Sequence, residues 1–200
     1  VSDINQATAI VGPVRLSYLN VFEPKTDSLS GKTEYSVTLL IPKEATEQCP
    51  EPEAVGSKIT AAIKAGLAAK FTGTIPAKWH TPLKDGDTDL DGDGEPRYPG
   101  YWFLKAACST DYPPLLIDGK KNRVSKNSGW KAGDWGLVKI ICFGYDRPEK
   151  KGVTVKFAAI QFLYEDEGFG GGGTSIDEFE EVADAAGPVG EAGVHDPFDE

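Results

Sequence analysis

From Glu165 to Glu200 the chain carries twelve carboxylates and no lysine or arginine. A glycine run, Gly170 to Gly173, lies near the start of this segment, and Asp196-Pro197-Phe198-Asp199-Glu200 closes it. A stretch so charged and so poor in apolar side chains cannot join a packed core; a Gly-rich linker and a disordered, solvated acidic tail are expected over residues 165–200. The segment also changes how the charge is read. The whole chain stands at -10, whereas residues 1–164 hold 21 bases against 19 acids, a net of +2. The acidity belongs to the tail, and residues 1–164 are expected to form one domain with its own core.

No basic-then-apolar leader and no apolar run of about 18 residues is seen, so a soluble protein that does not engage membranes is expected. Cys49, Cys108 and Cys142 are odd in number and far apart, which fits buried, reduced thiols better than a disulfide framework or a zinc site. His80 and His195 are the two histidines, which leaves little for histidine-based catalysis. No cofactor and no enzymatic activity are expected.

Hydrophobic periodicity outlines a mostly β domain. Val14–Phe22 and Thr33–Ile41 alternate with period two and are separated by turn formers, as in an antiparallel hairpin with a long loop. In the first run Val14, Leu16 and Tyr18 share one face against Arg15 and Ser17, with a polar break at Asn20. Residues 53–71 are the one convincing helix: Val55, Ile59, Ala62, Ile63, Leu67 and Phe71 recur at helical spacing, and Gly73 closes it. Further strands are expected at 101–108, 135–145 and 153–164, with a short extra one at 115–118. About five strands, one helix and long loops point to an all-β, five-stranded Greek-key OB-fold barrel.

Charge is uneven within the body. Residues 1–119 carry 11 bases and 16 acids, while residues 120–156 carry ten bases and three acids, a local net of +7. Aromatic rings share that basic half. Along the 135–145 strand, Trp135, Leu137, Lys139, Ile141, Phe143 and Tyr145 fall on one face and Gly136, Val138, Ile140, Cys142 and Gly144 on the other; either face could be the core. Near 101–105, Tyr101, Phe103 and Lys105 oppose Trp102 and Leu104. Rings between cations suit a single strand of nucleic acid: a ring stacks on any base at about 1–3 kcal/mol, and lysine or arginine neutralises the phosphates. The candidate DNA-binding residues are therefore Tyr101, Trp102, Phe103, Lys105, Lys121, Arg123, Trp135, Lys139, Phe143, Tyr145 and Arg147.

The tail then acquires a role. Thirty-six flexible residues span roughly 30–35 Å, and a domain of this size has a radius of gyration of about 15 Å. The tail is expected to reach the basic surface as a tethered polyanion that competes with phosphates. Once displaced, its tip could hold a partner, with Phe198 as an apolar anchor among Asp196, Pro197, Asp199 and Glu200.

Several stretches carry a resemblance to a known family: Val14-Arg-Leu-Ser-Tyr-Leu-Asn-Val-Phe22, Tyr35-Ser-Val-Thr-Leu-Leu-Ile-Pro-Lys43, Pro82-Leu-Lys-Asp-Gly-Asp87, Tyr98-Pro-Gly-Tyr-Trp-Phe103, and Gly152-Val-Thr-Val155 with Gln161-Phe162. In this order, over most of residues 10–170, they resemble the phage-encoded single-stranded-DNA-binding proteins with one OB-fold. The resemblance implies sequence-independent binding of single-stranded DNA in phage replication or recombination, in the host cytoplasm. The tip resembles the acidic-aromatic C-termini of such proteins, with Asp199 and Glu200 following the Pro-Phe on which bacterial versions usually end. It implies replication or recombination proteins as tail partners. Duplex DNA for a chain lacking the tail, and a homodimer, stay open.

Two other readings draw on different residues. The loop Lys84-Asp-Gly-Asp-Thr-Asp-Leu-Asp-Gly-Asp-Gly-Glu95 begins like an EF-hand, but position twelve falls on Tyr98 or, in the shifted register, Gly100, and no helices flank it. A metal-dependent nuclease using these acids would need them on separate rigid strands. A ligand-free phage structural protein would bury its aromatics.

Overall fold

The computed structural model describes residues 7–28, 31–72 and 74–169. It contains β1 (Thr8–Thr26), β2 (Thr33–Pro42), α1 (Pro52–Lys70), β3 (Lys84–Asp85), β4 (Tyr101–Ser109), β5 (Leu115–Ile117), β6 (Trp135–Arg147) and β7 (Lys150–Tyr164). The five long strands and the helix are those the periodicity outlines. Two short strands, β3 and β5, bring the sheet to seven. Gly73, the expected helix stop, and residues 170–200 with the tail tip lie outside the described residues.

The strand order is β3-β4-β2-β1-β6-β7-β5. β1 pairs antiparallel with both β2 and β6, β6 with β7, and β2 with β4, while β5 runs parallel to β7. β4 and β7 approach one another on the far side, so the long strands curl into the partly open barrel of an OB-fold rather than a closed cylinder.

Period-two alternation fills the interior. Val14 and Leu16 of β1 meet Val37, Leu39 and Ile41 of β2, Leu104 and Ala106 of β4, Val138 and Ile140 of β6, and Val155, Phe157, Ile160 and Phe162 of β7 in one core. The helix starts with Pro52 in its first turn, carries Glu53 there and ends with Lys70, a charge order that suits its dipole. It buries Val55, Ile59, Ala62, Ile63 and Leu67. At Gly66 it lies so close to β6 that a Cβ would stand 2.6 Å from the Cys142 carbonyl oxygen.

β6 resolves the choice between its two faces. Val138, Ile140 and Cys142 point inward, while Lys139 and Phe143 are exposed. Trp135 departs from its set: a register shift between Trp135 and Gly136 turns the indole into the core at 2% exposure. A second irregularity lies in β1. The β1–β2 register slips between Ser17 and Asn20, and Tyr18 takes a left-handed backbone with φ 45°. Its side chain therefore leaves the Val14 and Leu16 face and stands 64% exposed.

The chain after β7 docks on the body through Phe169. Asp134, fully buried, accepts the Asp166 and Lys131 backbone N–H groups on its two carboxylate oxygens. Arg15 donates from Nε to the Gly133 carbonyl at 3.0 Å and from Nη2 to the Glu167 carbonyl at 2.8 Å, and lies 4.4 Å from the Phe169 ring centroid. Residues 165–169, assigned to the tail by composition, thus pack against the domain that composition ends at residue 164.

Candidate nucleic-acid interface

The outer faces of β1, β2 and β4 form one continuous surface. Ser17 pairs with Thr38 and Asn20 with Ser36 across β1 and β2; Thr38 in turn faces Lys105 on β4. These residues face away from the barrel interior, and Ser17 and Thr38 are buried there at 5% exposure. Above them runs the segment between α1 and β4. It is fastened at one end to the β6–β7 hairpin, where His80 N–H donates to the Lys151 carbonyl and Val153 N–H to the His80 carbonyl. At the other end Gly86 N–H donates to the Tyr101 carbonyl and Tyr98 N–H to the Gly86 carbonyl. Gly86 is needed there, since a Cβ would lie 2.2 Å from the Tyr98 carbonyl oxygen.

Strand surface and loop enclose a cleft of about 550 Å³. Its rings are Tyr18, Tyr98, Phe103 and Tyr145; its cations are Lys84, Arg97 and Lys105; its one acid is Asp89. Tyr98 meets Phe103 edge-on at 4.9 Å, and its hydroxyl hydrogen-bonds Ser17 and Thr38. Burial outweighs those bonds and raises the Tyr98 pKa, so the phenol stays neutral. Partial burial, then the charges of Lys150 and Lys84, hold the His80 imidazole below its usual value. The cleft thus has three fixed positive charges against one negative.

The first three aspartates of the acidic loop are held in ion pairs. Lys43 bonds both Asp85 and Asp87; those bonds raise Lys43 and lower each carboxyl. Asp89 takes Lys84 on one oxygen and Arg97 on the other, both at 2.8 Å, and the bonds lower its pKa, Lys84 contributing most. Among the described residues no group of three or more His, Cys, Asp or Glu could hold a metal ion.

Phe103, Lys105 and Tyr145 come together in the cleft, but Phe103 is buried at 7% exposure under Tyr98 and offers a base no free face. Arg147 sits by its rim, 5.7 Å from the Tyr145 ring. Tyr101 starts β4 half-buried. Trp102 faces away, into an apolar slot with Pro42, Pro52 and Leu83, under the Lys43 ammonium at 4.8 Å. Phe143 and Lys139 are exposed on β6, Phe143 with Lys156 5.2 Å from its ring, and neither lines the cleft. Lys121 and Arg123 stand on the loop after β5, folded back by Asp118, whose carboxylate accepts from Lys120 N–H and Asn122 N–H. Trp135 is a correction: its indole is core, with Nε1 bonded to Asp166, and has no free face for a base.

Composition overlooks Tyr18, Lys84, Arg97 and Tyr98. The signal for Tyr18 is the polar break at Asn20, where alternation fails because the strand bulges. Lys84 and Arg97 bracket the run of aspartates, and net charge hides them.

A family model described as the single-stranded-DNA-binding protein of Enterobacter phage Enc34 matches residues 7–188. The chain belongs to this Enc34 family. Putative protein p50 of Acyrthosiphon pisum secondary endosymbiont phage 1 is 29% identical over 182 residues, covering 85% of this chain and 91% of the relative. The Enc34 single-stranded DNA-binding protein, solved in complex with ssDNA, superposes with a TM-score of 0.66 at 23% identity, covering 82% of this chain and 90% of that one. Gp2.5, a single-stranded DNA binding protein encoded by bacteriophage T7, gives 0.53 at 16% identity, covering 90% and 98%. These two likenesses carry the fold.

Proposed function

We propose that the chain binds single-stranded DNA without reading its sequence, in phage DNA replication, and that the strand lies in the cleft over β1, β2 and β4. Four rings with three cations, in a member of a single-stranded-DNA-binding family, are the observation that carries this reading. Tyr18 and Tyr145 are the stacking surfaces, with Phe103 buried behind them in the cleft wall; Lys105, Lys84 and Arg97 meet phosphates. Outside the cleft, Arg147 extends the path at its rim. Lys139 and Phe143 on β6, and Lys121 and Arg123 after β5, belong to an outer track that a longer strand could follow.

The acidic segment beyond Phe169 competes with DNA for these cations, and its tip at Asp196, Pro197, Phe198, Asp199 and Glu200 recruits proteins of replication or recombination. Both roles rest on the charge reading of the sequence.

The test is a titration of labelled oligo-dT followed by anisotropy, since the cleft rings are Tyr and Phe and tryptophan quenching is a poor reporter. Lys105→Ala is expected to weaken binding and to lower the slope of log K against log salt by about 0.7. Tight binding that is unmoved by Lys105→Ala would place the DNA elsewhere.

A further inference from the structure

We propose that Asp89 is a built-in substitute for a backbone phosphate, occupying Lys84 and Arg97 in the empty cleft and limiting how tightly single-stranded DNA is held; this rests on the cleft being the DNA site. Its two oxygens divide between two cations, Lys84 Nζ on Oδ1 and Arg97 Nε on Oδ2, each at 2.8 Å. That is how a phosphate would bridge the same pair. Lys84 is further held with its ammonium 5.8 Å from the buried Phe103 ring, and the bridged pair lines the same cleft as Tyr18 and Tyr145. Both cations remain reachable, with side chains 44% and 40% exposed. An arriving phosphate must share or displace the carboxylate, whereas at Lys105 no ion pair is seen among the described residues.

The loop does not need this carboxylate for its shape. Arg97 N–H donates to the Asp89 backbone carbonyl, Arg97 Nη2 to the Leu90 carbonyl, and Asp91 N–H to the Glu95 carbonyl. Asp91 Oδ1 accepts the Asp93 and Glu95 N–H groups, and Gly86 ties the base to Tyr98 and Tyr101. The Asp89 side chain adds charge to a turn that backbone bonds already close. A release-favouring acid suits a protein that must give its strand up to other machinery.

The experiment compares Asp89→Asn with Asp91→Asn, which removes the same charge from the same loop at a residue that bonds neither cleft cation and acts on Arg97 only through space. Oligo-dT affinity is measured from low to high salt, with thermal unfolding as a control. Asp89→Asn is expected to bind about three- to tenfold tighter at low salt, with a slope steeper by about 0.7 for each additional phosphate neutralised; Asp91→Asn is expected to change little. Unchanged or weaker binding by a folded Asp89→Asn overturns the proposal, as does an equal gain in Asp91→Asn. Should Asp89→Asn fail to fold, Lys84→Ala decides: its cation is already neutralised, so it must cost less affinity than Lys105→Ala. A loss as large overturns the proposal. If Lys105→Ala itself has no effect, the cleft reading fails instead.

Discussion

Trp135 Nε1 donates a 2.7 Å hydrogen bond to Asp166 Oδ2, tying the start of β6 to the five residues that follow β7. The indole is buried at 2% exposure, so its N–H has no water to turn to if the acceptor is removed. Asp166→Ala is expected to cost about 1–3 kcal/mol, read as a lower urea midpoint with an unchanged m-value, and Asp166→Asn, which keeps an acceptor, to cost less.

The same contact gives a pH dependence. The Trp135 bond, with smaller help from the Glu167 N–H and from Arg15, holds the Asp166 carboxyl below the usual aspartate value; Asp85, Asp87 and Asp89 are lowered by their lysines and by Arg97. A carboxyl lowered on folding stabilises the fold above its unfolded value, and that contribution disappears as pH falls through the folded one. The urea midpoint is expected to be level at neutral pH and to fall below about pH 4, less steeply in Asp166→Asn.

Tyr18 separates ring from backbone. At φ 45° a Cβ is strained by about 1–2 kcal/mol. Tyr18→Ala and Tyr18→Gly both remove the ring and are expected to weaken oligo-dT binding about 5- to 100-fold. Tyr18→Gly is expected to be the more stable of the two by about 1 kcal/mol in denaturant titration.

Gly86→Ala tests the wall of the cleft. Its Cβ would collide with the carbonyl oxygens of Tyr98 and Tyr101, at 2.2 and 2.7 Å, and neither is a side chain that can swing aside. A loss of about 1–3 kcal/mol in stability is expected, together with weaker oligo-dT binding, because Arg97 and Tyr98 move with that backbone.

The thiols are expected to be silent in the native protein. Burial pushes Cys142 up to about 12 and Cys108, with Glu34 nearby, up to about 11; Cys49 is also raised. A thiol-reactive dye is expected to label none of the three below the unfolding midpoint and all of them above it. Rapid native labelling would contradict the burial.

The fold was legible because five strands and a helix each carry their own period. The site was legible in part. Phe103, Lys105 and Tyr145 stood out as rings and cations on strand faces, but periodicity cannot foresee a slip in register. One such slip buried Trp135, whose whole face was otherwise outward; another turned Tyr18 out, although it alternates in step with Val14 and Leu16. Lys84 and Arg97 were obscured by the aspartates between them, since their value depends on which oxygens they meet in space.

The loop over the cleft is stapled to β7 at His80 and to β4 at Gly86, so the gap beneath it exists before any guest arrives. With the cleft as the proposed DNA site, capture is expected to require no folding step, its speed set by collision and charge attraction rather than by waiting for a lid. A protein that binds single strands during phage replication gains from such readiness.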